Sequence, residues 1–154
     1  MKKSHALLLA FGLSALGFVL WGGRKWPVSA QSTRPVSLIR LYTGTDGQTH
    51  SEERTVKLMA NRDLSEVSDP EKASTVQFWR TSPGFTNDWH PAPARQYNIR
   101  LTGRVEVELG GGKKIRLDPG QIVLAEDVTG RGHITRCIGL EDCLSVLVPL
   151  DGKQ

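Results

Sequence analysis

The chain has 154 residues and carries 20 Lys and Arg against 16 Asp and Glu, a formal charge of +4; that is length for one domain and short of two of ordinary size. The whole excess sits at the N-terminus, where Lys2, Lys3, Arg24 and Lys25 meet no acid within residues 1–30, so the remainder balances at 16 against 16. A neutral remainder has no electrostatic footprint for nucleic acid, and that class of function is excluded.

Residues 1–30 have the order of an export signal. Lys2 and Lys3 start it, Ala6 to Leu20 is an unbroken run of apolar and small residues, and "GGRKWPVSA" ends in Val28 and Ala30 at cleavage spacing. The cut falls between Ala30 and Gln31. The run is short for a membrane span, which needs about 20 residues. Arg24 and Lys25 are unusual in a signal peptide, so the alternative is an uncut segment that anchors the protein to the membrane through residues 6–21. The expected location is therefore the periplasm or the exterior, with membrane contact only in the uncut case, and residues 31–154 form a single domain.

In chain order, "VSLIRLYTG" (36–44) alternates apolar and polar residues and predicts a strand. "DGQTHSEE" (46–53) predicts a turn, "RTVKLMA" (54–60) a short strand, and the polar stretch 61–75 a surface loop with at most one helical turn. From Val76 on, strand and turn signals alternate closely. The strands are "VQFWRT", "QYNIRLT", "RVEVEL", "KIRL", "QIVLAE", "HITRCI" and "LSVLVPL"; the turns between them are "SPGF", Gly103, "GGGK", "DPG" and "TGRG". Short strands at this spacing, with no amphipathic helix among them, predict an all-β antiparallel sandwich or barrel. "VEVEL" is the clearest piece, since strict alternation half-buries it, and "GGG" and "DPG" make the turns on either side of "KIRL".

Cys137 and Cys143 flank "IGLED". In an exported protein they either form a disulfide, if a hairpin sets them opposite each other, or stay as two buried thiols.

Three histidines remain after residue 30: His50, His90 and His133. His50 lies in a polar turn and reads as a surface residue. His90 and Gln96 stand six apart around a proline-broken strand start, and His133 stands at a strand start just after a glycine-rich turn. In "QYNIRLT", Gln96, Asn98 and Arg100 share one face and Tyr97, Ile99 and Leu101 the other. If Gln96 points inward, regular pleating makes a polar cavity with Asn98 and Arg100. Otherwise a bulge resets the register, or the polar row meets solvent. Trp89 and Tyr97 are candidates to line a ligand pocket, and Arg95 to pair an anionic substrate. Glu126 is a candidate for acid–base chemistry or for contact with the ligand; Asp127 reads as a turn cap. Trp79 reads as core packing and Arg136 as surface. No serine or cysteine nucleophile with a neighbouring base is legible, and "LGGGKK" lacks the strand–loop–helix context of a phosphate loop.

These segments resemble the two motifs of the cupin superfamily, which are small double-sheet jelly rolls. The first motif runs histidine, one residue, histidine, three or four residues, glutamate, six residues, glycine. Here His90, Ala92, Gln96 and Gly103 stand in those places. The second motif has a proline–glycine turn and then a glycine two residues short of a histidine, matched by Pro119–Gly120 and Gly130–Arg131–Gly132–His133. "RLYTGTDGQTHSEE" and "EDVTGRGHITR" further look like a group of small single-domain cupins of unsettled activity. The resemblance spans most of residues 36–149.

The resemblance implies a cupin-like β-barrel with a site for iron, manganese, zinc, nickel or another divalent ion. In this chain only His90, Gln96 and His133 are left to hold one. An amide oxygen replaces the carboxylate and Ala92 replaces a histidine, which weakens the set. Three functions are compatible with it: a metalloprotein acting on a small molecule, a metal-free domain that captures a small ligand, and a scaffold that pairs with a second copy through its sheet edges.

Overall fold

The computed structural model describes residues 35–63 and 65–152. The export segment expected over residues 1–30 lies outside them. Twelve strands are formed: β1 (Ser37–Thr43), β2 (Thr49–Thr55), β3 (Met59–Ala60), β4 (Glu66–Val67), β5 (Gln77–Thr81), β6 (Thr86–His90), β7 (Gln96–Thr102), β8 (Arg104–Glu108), β9 (Lys114–Leu117), β10 (Ile122–Glu126), β11 (His133–Ile138) and β12 (Cys143–Pro149). A 3₁₀ turn at Gly110–Gly112 joins β8 to β9.

Six strands form one sheet in the order β2-β1-β10-β7-β12-β5, and four form a second in the order β6-β11-β8-β9. From β5 onward every connection except β8–β9 changes sheet. The result is two facing four-stranded layers, β5-β12-β7-β10 over β6-β11-β8-β9, an eight-stranded double-sheet jelly roll. β1 extends the first layer by pairing parallel to β10, and β2 lies antiparallel on its outer side. Closing one sheet over another buries an inner face of each, which is what the alternating strands require.

The best-patterned strands behave as their residues dictate. In β8, Val105 and Val107 turn inward, and Leu109 just beyond the strand continues that row. Glu106 and Glu108 turn outward, where they meet Lys114 and Arg136. β10 is apolar on both faces because both are covered. Val123 joins the inner core with Leu41, Val105, Val107, Leu109 and Leu117, while Leu124 packs on the outer face with Leu38 and Leu150.

Three expectations are corrected. "DGQTHSEE" is more strand than turn: β2 begins at Thr49 and pairs residue for residue with β1 out to Thr55. It is an edge strand whose side chains are mostly exposed, so backbone hydrogen bonds form it and no apolar period marks it. Residues 54–60 consequently do not make one strand; Met59–Ala60 instead pairs with Glu66–Val67 inside the expected loop. The third is β6, "TNDWH", which carries no strand signal and yet forms the other edge of the jelly roll against β11.

Cys137 and Cys143 form a disulfide, with Cα atoms 5.9 Å apart. They do not face each other across a hairpin, because β11 and β12 lie in different sheets. The bond ties the two layers together beside the inner core. Closing a loop of six-residue separation removes unfolded-chain freedom equivalent to about 2 kcal/mol. The Cys137→Ala/Cys143→Ala double variant is expected to unfold reversibly with that much less stability in a urea titration.

Candidate functional site

The two layers enclose a cavity of about 440 Å³, within the range of small-molecule pockets. Much of its wall is apolar: Leu41, Val105, Val107, Leu117, Val123 and Leu147. The polar groups come from few elements. β7 contributes Gln96, Asn98 and Arg100; β6 contributes Asn87 and His90; β11 contributes His133 and Thr135.

β7 settles the question its sequence raised. Its register is regular from Gln96 to Arg100 against both neighbours: Gln96 opposes Ala125 and Pro149, Asn98 opposes Val123 and Leu147, and Arg100 opposes Ser145. The one irregularity falls after Arg100, between Ser145 and Leu144 on the partner strand. The polar row therefore faces inward, with Gln96 and Arg100 buried, while Leu101 beyond it is exposed.

His133 is the most constrained of the candidate ligands. Its Nδ1 lies 2.6 Å from Oδ2 of Asp127, and Asp127 is fully buried. The same Oδ2 accepts a hydrogen bond from Thr49 Oγ1 at 2.9 Å, while Oδ1 has no partner among the described residues. A carboxylate at Nδ1 fixes the proton there and leaves Nε2 as the free nitrogen of the neutral ring. Asp127 is thus more than a turn cap.

His90 stands opposite His133 in the β6–β11 ladder, with ring centroids 4.6 Å apart. Its Nδ1 donates to the Asp88 carbonyl at 2.6 Å, and Asn87 Nδ2 donates to its Nε2 at 3.0 Å. Burial lowers the His90 pKa and the His133 ring adds to that, against the Asp88 carbonyl, which favours the charged form. Asn87 and His90 are three apart and could not share a face of a regular strand. Between the His133–His90 and Thr135–Asn87 pairs, β6 carries two residues against one on β11, and this bulge turns both side chains inward. No apolar pattern in "TNDWH" announces it.

His90, Gln96 and His133 are accordingly brought to one cavity. The other sequence candidates are not. Glu126 turns to the opposite face from Ala125 and is held between Arg40 and Arg95, at 2.7 Å from the latter; Arg95 also reaches Glu71 at 3.5 Å. Tyr97 packs with Leu38 and Leu124 on that outer face. Trp89 lies under the guanidinium of Arg131, 3.7 Å from its ring centre, and is absent from the cavity wall. Strand parity sends Glu126 and Tyr97 away from the interior; Arg95 precedes β7, and Trp89 lies in the β6 bulge. Trp79 is the aromatic that lines the cavity; sequence reasoning assigned it to core packing. Arg136 pairs Glu108 on the outer surface, as expected for it. His50 bonds Asp46 at the surface, at 3.0 Å.

Strand order and an inward cavity between the layers define a double-sheet jelly roll, the fold that the cupin resemblance implies. No protein-family model matches the chain, and no curated protein does. Solved structures similar to it include a conserved protein with a double-stranded β-helix domain from Klebsiella pneumoniae, at 25% identity and TM-score 0.41, covering 55% of this chain and 81% of that one. An RmlC-like cupin from Desulfovibrio desulfuricans is 15% identical at TM-score 0.37, covering 97% and 98% of the two chains. A Cupin 2 conserved barrel domain protein from Salinispora arenicola is 19% identical at TM-score 0.40 over 47% of this chain, which spans only 59% of that protein's length.

Proposed function

We propose that the protein is an exported small-molecule-binding cupin whose barrel cavity takes its ligand without a resident metal ion. The observation that carries this reading is the inward row Gln96, Asn98 and Arg100 facing the apolar wall of Leu41, Val105, Val107, Leu117, Val123 and Leu147. A few fixed polar groups in an apolar cavity are the usual make-up of a small-molecule site. Export is supported by the Cys137–Cys143 disulfide, a bond that persists in oxidising compartments.

The residues present suit a divalent ion poorly. Ala92 is buried where a second imidazole would stand and offers no donor. Gln96 brings an amide in place of a negative charge. Both nitrogens of His90 are already hydrogen-bonded, and a buried guanidinium shares the cavity, which repels a cation. Among the described residues no three His, Cys, Asp or Glu side chains gather into a metal-binding group. One observation favours the alternative of a metalloprotein: a carboxylate behind the far nitrogen of an imidazole, as Asp127 stands behind His133, is the common arrangement around metal-ligating histidines.

Elemental analysis of the purified protein, beside His133→Ala, separates the two. Well under one equivalent of any transition metal is expected in both proteins. Stoichiometric metal in the wild type that disappears in the variant would overturn the metal-free reading. Without a metal, the chemistry the site offers is proton acceptance at Nε2 of His133, with Asp127 stabilising the imidazolium that forms.

A further inference from the structure

Arg100 is the most unusual residue of the cavity. Only 3% of its surface is accessible, and among the described residues its Nε has no hydrogen-bond partner. Charged side chains are almost never buried to this degree unless paired. Among the described residues no acidic side chain pairs with it, and burial alone acts on its charge; Asp127 is engaged with His133 and Thr49, Glu126 with Arg40 and Arg95 on the outer face, and Glu106 and Glu108 with Lys114 and Arg136 outside β8. A second buried group beside it is also without a partner. Ser145 stands opposite Arg100 in the β7–β12 ladder, is fully buried, and its Oγ bonds to nothing among the described residues. Trp79 follows in the next strand, opposite Ser145.

An unpaired, buried guanidinium on the wall of a cavity with room for a molecule, with the unpaired Ser145 hydroxyl opposite it behind that wall, calls for an external partner. Resting on the reading of this cavity as a small-molecule site, we infer that its ligand is a small organic monoanion of the carboxylate class, with the carboxylate seated on the Arg100 guanidinium. The planar fork of a guanidinium matches a carboxylate in two parallel hydrogen bonds. Among the described residues one cation, Arg100, lines the cavity, so one negative charge is neutralised, and a phosphate dianion would bring a second charge with no counterpart.

The geometry also sets the extent of the ligand. Gln96 opposes Ala125 in the β7–β10 ladder, two residues before the Asp127 that holds His133, so the imidazoles lie toward the Gln96 end of the row. Gln96 and Arg100 are four residues apart along one strand, roughly 13 Å at strand rise. A carboxylate on Arg100 therefore leaves an apolar body among Leu41, Val105, Val107 and Leu147, with its far end directed toward His133.

The test uses two matched pairs of probes, benzoate with benzamide and hexanoate with hexanamide, plus inorganic phosphate, titrated calorimetrically into wild type and Arg100→Met. Each acid is expected to bind the wild type at least tenfold more tightly than its amide, phosphate more weakly than either acid, and the acid preference to vanish in Arg100→Met. Equal binding of acid and amide by the wild type, or an acid preference that survives Arg100→Met, overturns the anion assignment and leaves the cavity as a neutral-ligand site. Tighter binding of phosphate than of both acids overturns the carboxylate class. Failure of all four organic probes to bind the wild type overturns the small-molecule reading and the assignment together.

Discussion

Gly132→Ala is expected to lower stability by about 4 kcal/mol, the size of effect reserved for strained backbone and steric overlap, and to abolish ligand binding in whatever folded protein remains. Gly132 has φ +75°, and a Cβ there would lie 1.9 Å from the carbonyl oxygen of His90 and 2.3 Å from Pro91 N. Left-handed backbone alone costs an L-residue about 1 kcal/mol. The rest comes from parting β11 from β6 at the point where His133 and His90 are paired, because both obstructing atoms are backbone and cannot rotate away. Gly120 supplies the control. It has φ +86° with nothing within 4 Å of a built Cβ, so Gly120→Ala carries the conformational cost without the clash and is expected to lose only about 1 kcal/mol. Thermal melts of the two variants side by side measure the difference. Equal losses would mean that the β6–β11 seam accommodates a methyl group and does not set the spacing of the two imidazoles.

That seam also shows where a sequence stops being informative. β8 and β10 are legible because side-chain burial creates their pattern: Val105, Val107 and Leu109 alternate with Glu106 and Glu108, and Val123 to Ala125 is apolar throughout because both faces are covered. The jelly roll follows from many such strands with turns between them, and the resemblance of His90 to Gly103 and of Pro119 to His133 to the cupin motifs points to the same architecture. β2 and β6 are edge strands held by backbone ladders to one neighbour, and backbone hydrogen bonds leave no trace in residue type. The bulge in β6 is hidden for the same reason, although it decides that Asn87 and His90 both face the cavity.

The site was partly legible. His90, Gln96 and His133 converge on one cavity, as their motif positions imply. Strand parity alone, applied to "QYNIRLT", left two orientations open; the ladder from β7 to β10 and β12 selects the one that buries Arg100. The pairing of Asp127 with His133 crosses a six-residue loop and depends on how that loop folds back, which no periodicity records. The sequence favours its neighbour Glu126 for acid–base chemistry or ligand contact and reads Asp127 as a turn cap. One step along a strand separates a carboxylate behind an imidazole from one in an outer ion-pair network.

Arg100→Met is expected to make the unliganded protein more stable, by about 2 kcal/mol and several degrees in melting temperature. Burial without an acidic neighbour pushes the Arg100 pKa down to about 10, and a displacement of that size corresponds to about 3 kcal/mol of penalty on the charged form. The folded-state pKa lies below that of the unfolded chain, so the unfolded chain holds the proton more tightly. The penalty is therefore present in full at pH 7 and is relieved only as the pH rises past about 10. Methionine keeps much of the side-chain length and removes the charge, returning roughly 1 kcal/mol through imperfect filling of the space. An arginine with a structural role would behave in the opposite way, since removing one partner of a buried pair destabilises strongly. A melting temperature of Arg100→Met below that of the wild type at pH 7 would show that the guanidinium is held by the protein itself. A rise, together with loss of the preference for benzoate over benzamide, is the signature of a charge kept in the barrel for a ligand at a cost to the fold.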